Sequence, residues 1–275
     1  MKPRTMFNPR DQPIQPIAVL QPYIRHFGML EDDIPCGETK AFKMIADGCP
    51  GLIFQENANS FLDKDGNKLP QLFIHGLTSS NSQKTATGKY RNIGVYFQPT
   101  AIKAIFGIDA HELTDRYLDL NEVVKNDLAD QLLSDDETDK RIAILSDFLA
   151  RQIAKNKYPE NRKSSYAVAR INTDHDDGLS AIQSDLNLSE RSLERIFKTD
   201  IGISPKLFFR ICRFQAALDS VRRRTFNSLT EIAYQHSYAD QSHFIREFRE
   251  FTGATPKQFL ACADEQELNF PEWKL

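Results

Sequence analysis

Leu193-Glu-Arg195-Ile-Phe197-Lys198, followed by Gly202-Ile-Ser204-Pro205-Lys206-Leu-Phe208, returns fifty-one residues later as Phe244-Ile-Arg246-Glu-Phe248-Arg249 and Gly253-Ala-Thr255-Pro256-Lys257-Gln-Phe259. Apolar residue, arginine and glycine recur at matched offsets, so one supersecondary unit has been used twice. Each copy is preceded by a short apolar-periodic helix, Leu179 to Leu186 and Leu229 to His236. A turn follows (Asn187-Leu-Ser189, then Ser237-Tyr-Ala-Asp240), with Ser189 and Asp240 as N-caps of the second helix. Two short helices joined by a tight turn read as helix-turn-helix. The second helix of such a pair is built to enter a DNA major groove.

Helical period separates the faces of that second helix. Leu193, Ile196 and Phe197, and likewise Phe244 and Phe248, lie at i, i+3 and i+4 and point to a core. The opposite face carries Glu190, Arg191, Glu194 and Arg195 in the first copy, and Gln241, Ser242, Ile245 and Arg246 in the second. Arg, Gln and Ser reach base edges and phosphates. Gln241 and Arg246 are therefore expected to read bases in one major groove, and Arg191 and Arg195 in the other. Lys198, Lys206 and Arg249 are expected on phosphates, and Glu194, Ser242 and His243 complete the DNA-facing set. Glu190 and Glu194 repel phosphates unless one accepts from a cytosine amino group. The competing reading makes Arg195 and Arg246, which occupy equivalent sites, structural bridges to helix-end carbonyls. Gly202 and Gly253 supply left-handed helix stops, and Ser-Pro or Thr-Pro starts the next helix.

From Leu179 to Phe259 the chain resembles the AraC/XylS family of bacterial transcription regulators. Ile232-Ala233, Phe244-x-Arg246-x-Phe248-Arg249 and Gly253-x-Thr255-Pro256 stand in that family's order and spacing. The resemblance implies two helix-turn-helix units joined by one long helix, here Pro205 to about Arg223, with Phe208, Ile211, Phe214, Ala217, Leu218 and Val221 as its apolar face. At about 1.5 Å per residue that helix is about 28 Å long. This suits recognition helices in successive grooves about 34 Å apart. One departure is Ser237, where the family has glycine; Ser adopts a left-handed conformation less readily than the Asn187 of the first turn.

The first 130 residues read as a separate, mostly β domain. Apolar runs at Phe42 to Ile45, Gly51 to Phe54, Leu72 to His75 and Ile93 to Phe97 are punctuated by Asp47-Gly48, Asp65-Gly66, Gly76 and Gly88. Pro99 to Phe106 reads as a short helix stopped by Gly107. The order Ala46-Asp47-Gly48-Cys49-Pro50-Gly-Leu-Ile53-Phe54, then Gly76, then Gly94-Val-Tyr96-Phe97-Gln98-Pro99 is similar to cupin-like sensor domains found ahead of AraC-type modules. The expected fold is α+β in two domains: a cupin-like barrel with flanking helices, then an all-α double helix-turn-helix. The expected boundaries are 1–156 for a sensor and dimerisation domain, 157–177 for a linker, 178–262 for the DNA-binding domain and 263–275 for a tail. Turn and strand-end residues surround barrel mouths, so Asp47, Cys49, His75 and Tyr96 are expected around an effector pocket. Residues 109–156 read as helical, with Ile142, Leu145, Leu149 and Ile153 forming a stripe that either packs on the barrel or pairs two subunits.

Composition bounds the alternatives. A formal net charge of -3 conceals an uneven distribution, because residues 189–257 are net basic and residues 1–160 net acidic. Cys36, Cys49, Cys212 and Cys262 have no metal-ligand spacing, and His26, His75 and His111 are isolated, so no metal or cofactor is expected. A cupin-type enzyme usually presents an HxH pair, and an alkyl-transfer repair enzyme needs a zinc-held thiolate. Neither pattern is present, and the expectation is no catalysis. With no secretory leader and no apolar run of about eighteen residues, a cytoplasmic protein outside the membrane is expected. Its expected partners are promoter DNA, RNA polymerase, a small-molecule effector and a second copy of itself.

Overall fold

The computed structural model describes residues 13–156, 158, 161–173, 178–224, 226–261 and 267–268. The N-terminal part is built of two facing sheets. The first holds β1 (Ile24–Asp33), β7 (Lys89–Phe97), β3 (Gly51–Gln55), β5 (Leu72–His75) and β8 (Tyr117–Asp119) in that order, every neighbour antiparallel. The second runs β4 (Phe61–Leu62), β6 (Ser82–Thr87), β2 (Thr39–Met44) and β9 (Glu267–Leu268). The last pairing is parallel and brings a piece of the C-terminal tail onto the edge of the N-terminal domain. The rest of the tail, with Cys262, Phe270 and Trp273, lies outside the described residues.

Strand alternation divides the first sheet into two working faces. Leu52, Phe54, Leu72, Ile74, Ile93, Val95 and Phe97 point one way into a buried cluster. That face is covered by α1 (Ala101–Phe106), α3 (Leu128–Leu133) and α4 (Thr138–Asn156), reached through the one-turn α2 (Leu120–Val123). Ile53, Phe73 and Tyr90 point the other way and meet Phe42 and Phe61 of the second sheet. At about 1.5–3 kcal/mol for each large apolar side chain buried, these two layers supply most of the cohesion of the domain. α1 stops at Gly107, whose φ of 75° is the left-handed cap that the sequence predicts.

One of the two readings of the α4 stripe is met here, and one expectation is corrected. The α4 stripe is occupied within the chain: Leu145 and Leu149 are fully buried, and Ile142 and Ile153 pack against the same cluster. It therefore offers no free seam to a second subunit. The segment 109–156 is also not all helical, since Tyr117–Asp119 forms the edge strand β8.

The C-terminal part is all-helical: α6 (Gly178–Leu186), α7 (Glu190–Asp200), α8 (Pro205–Arg223), α9 (Leu229–Gln235), α10 (Gln241–Thr252) and α11 (Pro256–Ala261). The expected linker also contains structure, for α5 (Arg162–Thr173) buries Ala167, Val168 and Ile171 in the same core. Its apolar period was hidden by the charged residues around it. All six residues expected on the buried face of α8 are buried.

Candidate nucleic-acid interface

Each recognition helix is started by the cap that its sequence supplies. Ser189 Oγ accepts from Ser192 N at 3.3 Å, and Asp240 Oδ1 accepts from His243 N at 2.7 Å. The turns before them have the same shape, because Asn187 (φ 48°) and Ser237 (φ 55°) both sit in the left-handed region. The second turn is therefore not reshaped by its serine; the serine adopts a conformation that costs a β-carbon about 1–2 kcal/mol. Gly253 (φ 73°) caps α10 directly, whereas the left-handed glycine after α7 comes one residue later, at Gly202 (φ 103°). In that first copy both Ile201 N and Gly202 N donate to Phe197 O, at 2.9 and 2.8 Å.

The inner faces are closed. Leu193 and Phe197 of α7, and Phe244, Phe248 and Phe251 of α10, are buried. Glu190, Arg191, Glu194, Arg195 and Lys198 of α7 are exposed, as are Gln241, Ser242, Arg246 and Arg249 of α10 and Lys206 at the start of α8. Arg191, Arg195, Lys198, Lys206, Arg246 and Arg249 have no hydrogen-bond or ion-pair partner among the described residues. The bridging role weighed for Arg195 and Arg246 thus has no partner here. Arg191, Glu194, Arg195 and Lys198 line an open groove that runs along α7 to Gly202 and Ser204.

Two residues of the expected set are already engaged. Gln241 Oε1 accepts from Thr230 Oγ1 at 2.7 Å, which ties it to α9 and leaves its amide NH₂ to donate outward. The His243 ring lies edge-on to Tyr238 at 5.4 Å between centroids, with Nε2 4.0 Å from Glu247. It stands beside the interface more than on it.

The interior of the sequence-expected pair Phe244 and Phe248 holds what periodicity did not reveal. Glu247, 2% exposed, accepts from Arg213 Nη2 at 2.9 Å and from Arg210 Nε at 2.8 Å, both on α8. Arg213 also lies over the Tyr238 ring at 4.2 Å. The pattern FxREF contains this acid, but only a structure says that it points inward.

The N-terminal domain has a cavity of about 40 Å³ between its two sheets. Phe42, Phe61, Leu69 and Phe73 give it apolar walls, while Asp47, His75, Lys84, Asn92 and Tyr96 form its polar side. Three of the four residues expected at a pocket are thus brought together. Cys49 is not among them: it is fully buried with its thiol donating to Phe97 O at 3.3 Å, and burial pushes its pKa above the usual thiol range. Lys84 was missed because a lysine in a polar strand reads as solvent-facing. Burial pushes its ammonium down to about 8 against the opposing pull of Asp47 and Asp63. Tyr96 Oη and Asn92 Oδ1 are buried without a hydrogen-bond partner. Among the described residues no group of three His, Cys, Asp or Glu side chains converges as metal ligands do, and no helix is long and apolar enough to cross a membrane.

Comparison with known proteins matches two separate stretches of the chain. Residues 183–261 match a helix-turn-helix domain family, and residues 12–119 match a domain of unknown function (DUF6597). No curated protein matches the chain. Among solved structures it is similar to ToxT from Vibrio cholerae, at 11% identity over 86% of this chain and 98% of that one, with a TM-score of 0.49. A ToxT structure with bound unsaturated fatty acid, from V. cholerae strain SCE256, gives 13% identity over 85% and 94%, with a TM-score of 0.47. A probable AraC family transcriptional regulator from Rhodopseudomonas palustris gives 20% identity over 38% of this chain and 98% of that one, with a TM-score of 0.35.

Proposed function

We propose, from the premise that residues 183–261 are a helix-turn-helix domain of the AraC type, that the chain is a sequence-specific transcription regulator that reads promoter DNA with α7 and α10. The observation that carries this reading is the pair of equivalent helices whose arginines and lysines are exposed and unpartnered. A structural arginine finds an internal acceptor, as Arg213 does at Glu247. A side chain kept in water with five donors free is available to phosphates and guanines. Once on a promoter, such a regulator alters transcription through contact with RNA polymerase.

The cavity supports a further part of the reading, that a small molecule gates the protein. Unpartnered buried polar atoms at Tyr96 and Asn92 suit a ligand with a donor and an acceptor, held between apolar walls. Its size matters: about 40 Å³ is room for a few waters, well below the roughly 150 Å³ of a cavity that takes benzene. A ligand of more than a few atoms enters only if the two sheets or the loop at Asp47 yield.

Selection of duplexes from a randomised pool by the full chain, followed by affinity measurements at several salt concentrations, tests the DNA reading. A preference of about 10³-fold or more for the selected sequence, weakening steeply with salt, is the expected result. Equal and weak binding to selected and unselected duplexes would contradict it.

A further inference from the structure

Both recognition helices, and the helix between them, are held from outside the DNA-binding domain. Thr114 Oγ1 donates to Gly202 O at 2.9 Å, just past the end of α7. Asn81 Nδ2 donates to Glu250 O at 2.8 Å, in the last turn of α10. Between these, the Gln215 amide on α8 donates to Ala46 O. Carbonyls in the last turn of a helix lack intrahelical partners, so the contact to Glu250 satisfies a group that would otherwise turn to water. Ile45, Ala46 and Leu77 join Phe208, Ile211 and Phe214 in one apolar cluster behind the third. The approach at Gly202 is close enough to demand glycine, since a β-carbon there would stand 2.6 Å from Thr114 Oγ1 and 2.9 Å from Ala110 O.

Three anchors, one just past the end of α7, one on α8 and one on α10, do more than attach one domain to another. Two helix-turn-helix units joined by a single helix can twist relative to each other about it, and anchors placed on the helix and on either side of it oppose that twist. We propose that the N-terminal domain is a brace that sets the angle between the two recognition helices, and that the Ala46-Asp47-Gly48 segment carries a change in the cavity to α8. Asp47 lines the cavity. The residues on either side of it face α8: Ala46 through Gln215, and Gly48 so closely that a β-carbon built there would stand 3.7 Å from Ile211 and 3.8 Å from Phe208. Anything that pushes Asp47 outward therefore moves an anchor by way of one peptide unit. The brace rests on the reading of α7 and α10 as DNA-facing helices; its geometry can be measured without DNA.

The full-length chain with Cys36→Ser, Cys212→Ala and Cys262→Ser, and with Arg191→Cys and Arg246→Cys labelled with nitroxides, reports that angle as a distance distribution by pulsed electron resonance; of the native thiols only the fully buried Cys49 is kept. A single narrow distribution is expected with the anchors intact. Adding Asn81→Ala, Thr114→Val and Gln215→Leu together should at least double its width while cooperative thermal unfolding is retained. Should the triple variant fail to fold, the exposed Asn81→Ala alone should widen the distribution measurably. An unchanged width in a folded variant overturns the brace. Met44→Trp, which fills the cavity, should shift the mean distance; an unshifted mean in that folded variant overturns transmission through Asp47. On DNA, a base pair inserted between the two half-sites of the selected duplex should cost the wild type about tenfold or more, and the triple variant less than about threefold. A chain that selects no duplex defeats the DNA reading, and the label distances still decide the brace.

Discussion

Arg213 Nη2 lies 2.9 Å from both carboxylate oxygens of Glu247, and the pair fastens α8 to α10 from inside the core. Arg210 adds a second guanidinium at 2.8 Å. One residue earlier on the same helix, Arg246 points into water without a partner. Neighbours in sequence thus serve stability and recognition separately. Glu247→Ala would leave Arg213 buried and uncompensated, and removing one member of a buried pair costs about 3–5 kcal/mol. Arg246→Ala should alter stability by no more than about 0.5 kcal/mol. Urea unfolding of both variants checks the contrast, and melting of the domain by Arg246→Ala would defeat its assignment to DNA.

On DNA the contrast reverses. Arg246→Ala should lose about 1–3 kcal/mol on the selected duplex and relax preference at one base position. Lys198→Ala, placed for phosphate, should weaken selected and random duplexes alike and lower the slope of log affinity against log salt by about one. Titrations of each variant against single-base substitutions of the selected duplex separate the two roles. A lysine variant with altered base preference would reverse the assignment.

The double helix-turn-helix was legible because its information is local. Caps at Ser189 and Asp240, stops at Gly202 and Gly253 and the spacing of Phe244 and Phe248 are all decided within one or two helical turns. The β domain was legible where strands are apolar, as in Gly51–Gln55, and not where they carry polar residues, as in Ser82–Thr87. That polar strand holds Lys84, so the cavity was read with its cation missing. Buried charges escaped for the same reason. Arg141, 2% exposed and bonded to Leu132 O at 2.9 Å, reads in sequence as the polar side of an amphipathic helix. The anchors Asn81, Thr114 and Gln215 join residues 169, 88 and 169 positions apart, and no periodicity reports such pairs.

Acid should loosen the N-terminal domain before it reaches the carboxylates. Burial, with Lys84 nearby, pushes His75 down to about 4 against its hydrogen bond to Gly76 O, and burial with Arg25 does the same for His26. In the unfolded chain both titrate near 6.5. Between these values the unfolded state binds more protons, so stability falls as pH drops from 6.5 to 4 and is restored above 6.5. Asp32 and Asp63, held below the usual carboxylate range, act only at lower pH. Thermal unfolding followed from pH 7 to 4.5 should show a falling Tm, reduced in slope by His75→Gln. A flat profile would mean that the imidazoles are not buried neutral.

Lys84 gives the opposite end of the scale. Its ammonium is charged in the folded protein below about 8 and in the unfolded chain up to about 10.5, so burial costs stability that is recovered as pH rises between the two. Lys84→Met, which keeps the stem against Phe73 and removes the charge, should raise Tm at pH 7 and lose that advantage by about pH 10. A lower Tm for the variant at pH 7 would show that attraction from Asp47 and Asp63 outweighs desolvation.

Ser237 closes the comparison between the repeats. It holds φ at 55° in the turn before α10, and its carbonyl accepts from Arg213 Nη1 at 3.4 Å. Glycine at this position would remove a strain of about 1–2 kcal/mol and return part of it as extra freedom in the unfolded chain, about 0.4–1 kcal/mol. Ser237→Gly should therefore stabilise the domain by about 0.5 kcal/mol, with the carbonyl contact kept. Asn187→Gly should gain less, because asparagine tolerates the left-handed region better than serine does. Urea midpoints of the two variants order the strain in the two turns, and a larger gain at Asn187 would show that something other than backbone conformation separates them.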